Sequence, residues 1–171
     1  MIKAVRKMGD PCLLKVSDNI ETHEFGSQEL FDLIQDMEDT MHHLGGVGIA
    51  APQIGINKQV VIIEYFQKDI TRYENVGDCP RRVIINPKIT QFGDEETTFN
   101  EGCLSVPGLR GEVTRPKAIR YEYHDEFGKY YHGEDDDFFA RVMQHECDHL
   151  QGILYPMRMR DISKLAFVDL D

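Results

Sequence analysis

Gln144–Gly152 reads QHECDHLQG. His145 and His149 are four residues apart, a spacing that puts both imidazoles on one helix face, able to share one ion. Glu146 follows the first histidine, and a carboxylate there can reach water at a metal's open position and accept its proton. Upstream, Phe138, Phe139, Val142 and Met143 are apolar, and Gly152 is a natural helix stop. A metal-binding helix over about Asp136–Leu150 is therefore predicted. Catalytic sites usually take three protein ligands and keep a fourth position open. The long protease form of this pattern wants a further histidine where the chain has Tyr155. After His149 there is no His, Glu or Cys, and Asp161, Asp169 and Asp171 lie in a weakly patterned tail. The third ligand has to come from upstream.

Two segments offer one. His124 and His132 flank a predicted hairpin turn and read as water-facing. Cys103 lies in Glu101-Gly102-Cys103-Leu104-Ser105, followed by Val106-Pro107-Gly108, a bent backbone able to turn a thiolate into a cleft. A Cys/His/His set suits Zn²⁺ or Fe²⁺, and spacing does not choose between them. Cys12, Cys79 and Cys147 form no CxxC pair with each other or with Cys103 and read as small, partly buried residues.

The remaining chain reads as α+β. Leu30, Leu33, Ile34, Met37, Met41 and Leu44 recur at helical spacing, predicting an N-terminal amphipathic helix over Ser27–His43, with Ser27 as its cap. His42 and His43 read as ordinary residues of its last turn. Gln59–Tyr65 and Arg82–Ile85 are apolar, β-branched strands, the second ended by Pro87, with Lys88–Phe92 resuming an extended course. Gln67–Arg81 is polar and reads as a surface loop. Ala118–Tyr123 alternates apolar and polar residues, and Lys129–His132 should return beside it as a hairpin. The acidic run Gly133–Asp137 reads as a solvated helix start, and Asp161–Phe167 has weak helical character. Strands and helices are segregated, so the sheets should be mainly antiparallel.

The formal charge of −11 over 171 residues argues against non-specific hold on nucleic acid or anionic lipid. No run of about 18 apolar residues is present. No apolar core follows the basic residues of MIKAVRKMGDP, so a cytoplasmic protein of one domain over 1–171 is expected.

One further stretch stands out, Gly46-Val47-Gly48-Ile49-Ala50-Ala51-Pro52-Gln53. It matches the letters of a dinucleotide fingerprint, but a helix precedes it and Pro52 interrupts any helix that would follow. Small residues here allow close backbone approach to a ligand, or a tight turn on the core.

Taken together, Gly46–Gln53, Glu101–Ser105 and Gln144–His149 resemble the three motifs of the peptide deformylases, GφGφAAPQ, EGCLS and QHExDH, in that order. The resemblance covers nearly the whole chain and implies a central metal-binding helix surrounded by mainly antiparallel sheets. It implies Cys103, His145 and His149 as metal ligands, with Fe²⁺ as the native ion and Zn²⁺, Ni²⁺ or Co²⁺ able to substitute. It implies Glu146 as acid and base, and the Gln53 side chain and Leu104 N–H as donors to the developing oxyanion. Gly48 becomes a backbone contact for the peptide, and Val47, Phe138 and Val142 are expected to line the methionine pocket. Arg115 and Asp148 are expected to orient the metal loop, whereas Arg141 is expected to face solvent. The implied reaction removes formate from N-formylmethionyl peptides, met as nascent chains near the ribosome exit region, with no DNA or membrane partner. The rival readings are a zinc endopeptidase of the HExxH type and an inactive, metal-stabilised relative.

Overall fold

A computed structural model describes residues 1–168; Asp169 and Asp171 of the predicted tail lie outside them. Its centre is a five-stranded antiparallel sheet built from β1 (Gly48–Ala50), β2 (Val60–Tyr65), β3 (Cys79–Gln91), β6 (Ile119–His124) and β7 (Tyr130–Asp135). The strands lie in that order. A second, three-stranded sheet joins β4 (Glu96–Cys103), β5 (Val106–Pro116) and β8 (Ala166–Phe167). Helix α1 (Gln28–His43) and helix α2 (Phe138–Leu150) complete the α+β fold, with α2 as its central helix.

Strand β2 shows why the helices sit where they do. It is apolar without alternation because it is covered on both faces. Val60 and Ile62 join Leu30, Ile34, Met37 and Met41 of α1, while Val61 and Ile63 join Phe138, Val142 and Met143 of α2. Full burial of each such side chain stabilises the fold by roughly 1.5–3 kcal/mol. Both helices also have matching ends. The Ser27 hydroxyl accepts from Leu30 N–H at 3.2 Å, capping α1 as expected. At the other end Gly45 donates to His42 O and Gly46 to Met41 O, the paired bonds of a left-handed glycine stop. Gly152 repeats this device after α2, with φ +74°, donating to His149 O while Ile153 donates to Asp148 O. A Cβ on Gly152 would lie 2.5 Å from the Leu14 carbonyl oxygen, so only glycine fits.

Several expectations are corrected. Pro87 does not end its strand. Asn86 takes φ +50° and its side chain both accepts from Ile20 N–H and donates to Ile20 O, each at 2.8 Å. This reciprocal bond carries the chain through a register shift, and β3 continues to Gln91. The strand also begins inside the expected loop, at Cys79. The acidic run is not a helix start either. Glu134 and Asp135 belong to β7, and the Asp135 carboxylate accepts from the N–H groups of Asp137 and Ala140, so α2 begins at Phe138. Gly48–Ala50 is a short strand rather than a turn. Ile162–Lys164 forms only one 3₁₀ turn before β8. The long β4–β5 hairpin was not anticipated from sequence. No helix of the described residues is long and apolar enough to cross a membrane.

An N-terminal segment straps these parts together. Arg6 N–H donates to Gln53 O, Met8 N–H to Ser105 O, and Ser17 N–H to Leu150 O. It therefore touches the chain at each of the three motifs singled out above.

Candidate metal centre and active site

Strand β4 ends at Cys103, and Leu104-Ser105 form the turn into β5, so the bent backbone read from sequence is a hairpin tip. This tip carries the thiol to the face of α2 that bears His145 and His149. The donor atoms of Cys103, His145 and His149 all lie within 4.8 Å of one another. Cys103 Sγ is 3.4 Å from His149 Nε2. Burial, and then the charges of His145 and Arg115, hold His149 well below the ordinary histidine range, in the neutral form a metal requires. The donor set and its convergence fit a divalent ion. His124 and His132 are not brought there. They stay on the β6–β7 hairpin, where His124 packs against Phe25 and Tyr130, and His132 against Tyr130.

Cys103 and His145 border a cleft of about 520 Å³, and His149 lies buried behind them. Glu146, Gln53, Gly48, Val47, Phe138, Val142 and Leu104 line the same cleft. Glu146 is buried, and its Oε2 has no hydrogen-bond partner among the described residues. Desolvation pushes its carboxyl up to about 7; the nearby His145 and Arg115 charges work the other way. A carboxyl poised near neutrality can both accept and return a proton. Its position depends on β1, because a Cβ on Gly48 would lie 2.7 Å from Glu146 Oε1.

Gln53 sits in a 3₁₀ turn, Ala51–Ile54, and is almost wholly buried. Its Oε1 accepts from Ala50 N–H at 2.9 Å, which aims Nε2 at the Ser105 hydroxyl, 3.1 Å away, and at Cys103 Sγ, 3.5 Å away. An amide donor is thus held beside the Cys103 thiol. Phe138 is joined by Tyr73 at 5.4 Å between ring centroids, and Tyr73 by Phe99 at 5.6 Å, making an aromatic wall for the cleft. Tyr73 comes from the polar 67–81 segment, where composition gave no sign of a pocket residue.

The largest omission of the sequence reading is the support behind the histidines. Glu101 is 5% exposed and accepts four charge-assisted bonds. Oε2 receives Arg115 Nε and Arg141 Nη1, both at 2.7 Å. Oε1 receives Arg115 Nη2 at 3.0 Å and His145 Nδ1 at 2.8 Å. Burial alone would raise the Glu101 carboxyl, but the bonds from His145 and Arg115 outweigh it and hold it well below the ordinary glutamate range. Arg115 also donates to Asp148 at 2.8 Å, so it links Asp148 to Glu101. Arg141 corrects the expectation of a solvent-facing residue: it is 5% exposed. A charged side chain on an apolar helix face reads as exposed unless its partners, here on β4 and β5, are known.

A family model described as polypeptide deformylase matches residues 2–165. Among curated relatives, Peptide deformylase 1 of Bordetella pertussis is 48% identical over 170 residues, spanning 99% of this chain and 94% of the relative. Peptide deformylase 1 of Nitrosomonas europaea is 47% identical over 169 residues, with the same coverage. Among solved structures, a class I type b peptide deformylase from Acinetobacter baumannii bound to Met-Ala-Ser superposes with TM-score 0.87. It is 36% identical and the match covers 93% of this chain and 99% of that one.

Proposed function

From the premise that the chain belongs to the polypeptide deformylase family, a hydrolase that removes the N-formyl group from nascent peptides, we propose that the Cys103–His145–His149 cleft is its active centre. The observation that carries this is the convergence of those three donors at the wall of a cleft that Cys103, His145 and the unpartnered Glu146 carboxylate line together. The Met-Ala-Ser complex of the Acinetobacter baumannii relative supports a cleft that takes the start of a peptide.

Cys103, His145 and His149 would hold one divalent ion, with the thiolate shifting the native choice toward Fe²⁺; Zn²⁺, Ni²⁺ or Co²⁺ would substitute. When bound, the ion supplies Lewis-acid chemistry, making water nucleophilic near neutral pH and polarising the formyl carbonyl. The chain's own groups do the rest. Glu146 accepts the proton of the attacking water and returns it to the departing amine nitrogen, so formate and a free N-terminus are released. Gln53 Nε2 and the Leu104 N–H donate to the formyl oxygen as charge grows on it, each worth roughly 10²–10³ in rate by comparison with other oxyanion donors. The backbone of Gly48 aligns the peptide, while Val47, Phe138 and Val142 take the methionine side chain into an apolar wall that excludes water. Arg115, bridging Glu101 and Asp148, steadies the helix end.

The substrates are N-formylmethionyl nascent chains, so the protein works in the cytoplasm, near the ribosome exit region. Formyl-Met-Ala-Ser incubated with anaerobically prepared enzyme should yield formate and intact Met-Ala-Ser. Cleavage of internal peptide bonds without formate would instead mark the endopeptidase reading, and full activity in Glu146→Ala would remove the assigned acid–base role.

A further inference from the structure

Arg141 lies one helical turn before His145 and borders the same cleft, yet its guanidinium is engaged by β4 and β5. Nη1 donates to Glu101 Oε2 at 2.7 Å and to Val113 O at 2.9 Å, while Nη2 donates to Thr97 O at 2.6 Å and Thr97 Oγ1 at 3.0 Å. Its carbon centre sits 4.7 Å from the Phe99 ring centroid. One side chain of α2 is therefore bolted to β4 and β5 together, and its ion pair is with the carboxylate that receives His145 Nδ1.

We propose that Arg141 is a positioning residue for the metal centre, holding Glu101 so that His145 keeps Nδ1–H engaged and turns Nε2 toward Cys103 and His149. Arg115 already grips Glu101 through two nitrogens, but it approaches along β5 and is shared with Asp148. Arg141 adds a second cation from the helix that carries His145, so the distance between helix and strand is set by a rigid planar fork instead of by packing alone. It also offsets the cost of burying Glu101, whose carboxylate faces Arg115 and Arg141, while Asp148 is shared between Arg115 and Arg158. An apolar residue at 141 would leave the buried Glu101 with Arg115 as its one arginine partner among the described residues. Groups that orient a ligating histidine from behind usually change metal affinity by 10–100-fold when removed.

The inference rests on His145 being a ligand, and the test separates the two claims. Co²⁺ is titrated into demetallated wild type, Arg141→Met, Arg141→Lys and His145→Ala, and the thiolate-to-cobalt absorption band gives both ligation and affinity. A thiolate band in wild type that His145→Ala abolishes supports the metal centre itself; no band in wild type overturns that reading. Given the band, Arg141→Met should bind Co²⁺ about 10–100-fold more weakly. Arg141→Lys, which keeps the charge but cannot serve Glu101, Val113 and Thr97 at once, should fall between. Equal affinity in wild type and Arg141→Met overturns the proposal. If Arg141→Met does not fold, Arg141→Lys decides: wild-type affinity overturns, an intermediate value supports. The ¹⁵N shifts of His145 give an independent readout. Wild type should show Nδ1 protonated, and Arg141→Met a mixture of tautomers; an unchanged tautomer in a variant of unchanged affinity has the same overturning force.

Discussion

Gly48→Ala tests the assigned role of Glu146 without touching it. The added Cβ would lie 2.7 Å from Glu146 Oε1, against the 3.4 Å at which ordinary contact begins, so a shift of about 0.7 Å is required. Rotating the carboxylate does not relieve it, because Cδ and Cγ would both be 3.0 Å away. The Glu146 backbone is held in α2, and β1 is hydrogen-bonded to β2, so the side chain is the part that yields. Misplacement of a reacting group by about 1 Å can cost on the order of 10²-fold in rate, or about 2.7 kcal/mol of barrier. We expect kcat for formyl-Met-Ala-Ser to fall by roughly 30–100-fold, with metal content by atomic spectroscopy near one ion per chain. Gly46→Ala is the control. Its nearest contact would be Leu104 Cδ1 at 3.0 Å, the end of a flexible side chain, so the loss should stay within about tenfold. A Gly48→Ala enzyme with wild-type kcat and full metal would refute the idea that Glu146 acts from this position.

Other consequences are as direct. Cys103→Ser should bind metal weakly and lose most formate release, checked by metal analysis after gel filtration. Glu101→Gln strips the charge from three cationic or ligating partners and should destabilise the fold by about 3–5 kcal/mol in urea titration. The same residue sets an acid limit. Its folded pKa lies below the unfolded value, so its contribution is complete above about pH 4.3 and is lost as pH falls further. Unfolding free energy measured from pH 5 to pH 2 should therefore drop less steeply in Glu101→Gln; parallel slopes would count against this assignment. Gly152→Ala combines a strained φ with a backbone clash at Leu14 and should lower stability by about 1–3 kcal/mol or more, visible as a reduced Tm.

The sequence was most legible where one element carried the signal alone. His145, Glu146 and His149 share one helix, and helical spacing is enough to bring them together. The apolar face of α1 and its Ser27 cap are likewise local. Cys103 needed the family motif, because spacing along the chain says nothing about which strand end meets which helix. The β4–β5 hairpin escaped notice because Glu96–Cys103 is mostly polar, alternating exposed and half-buried residues, and pairs through its backbone, with Glu101 alone fully turned inward. Arg141 was misread for the reverse reason, since its compensating partners are all on other elements. Tyr73 gave no signal because loop residues become pocket walls only through the fold.

The strap formed by residues 6–18 has a consequence for the order of folding. Its partners Gln53, Ser105 and Leu150 are spread over most of the chain, so its hydrogen bonds close loops of very different length. Contacts distant in sequence carry a larger chain-entropy penalty and tend to form late. The strap leaves the ribosome before any of its partners, yet it cannot settle until α2 has emerged and its C-terminal glycine has turned to meet Leu14. Until then the three motifs are joined only through their own packing. Completion of the cleft is thereby tied to the docking of a segment that contributes no residue to its lining.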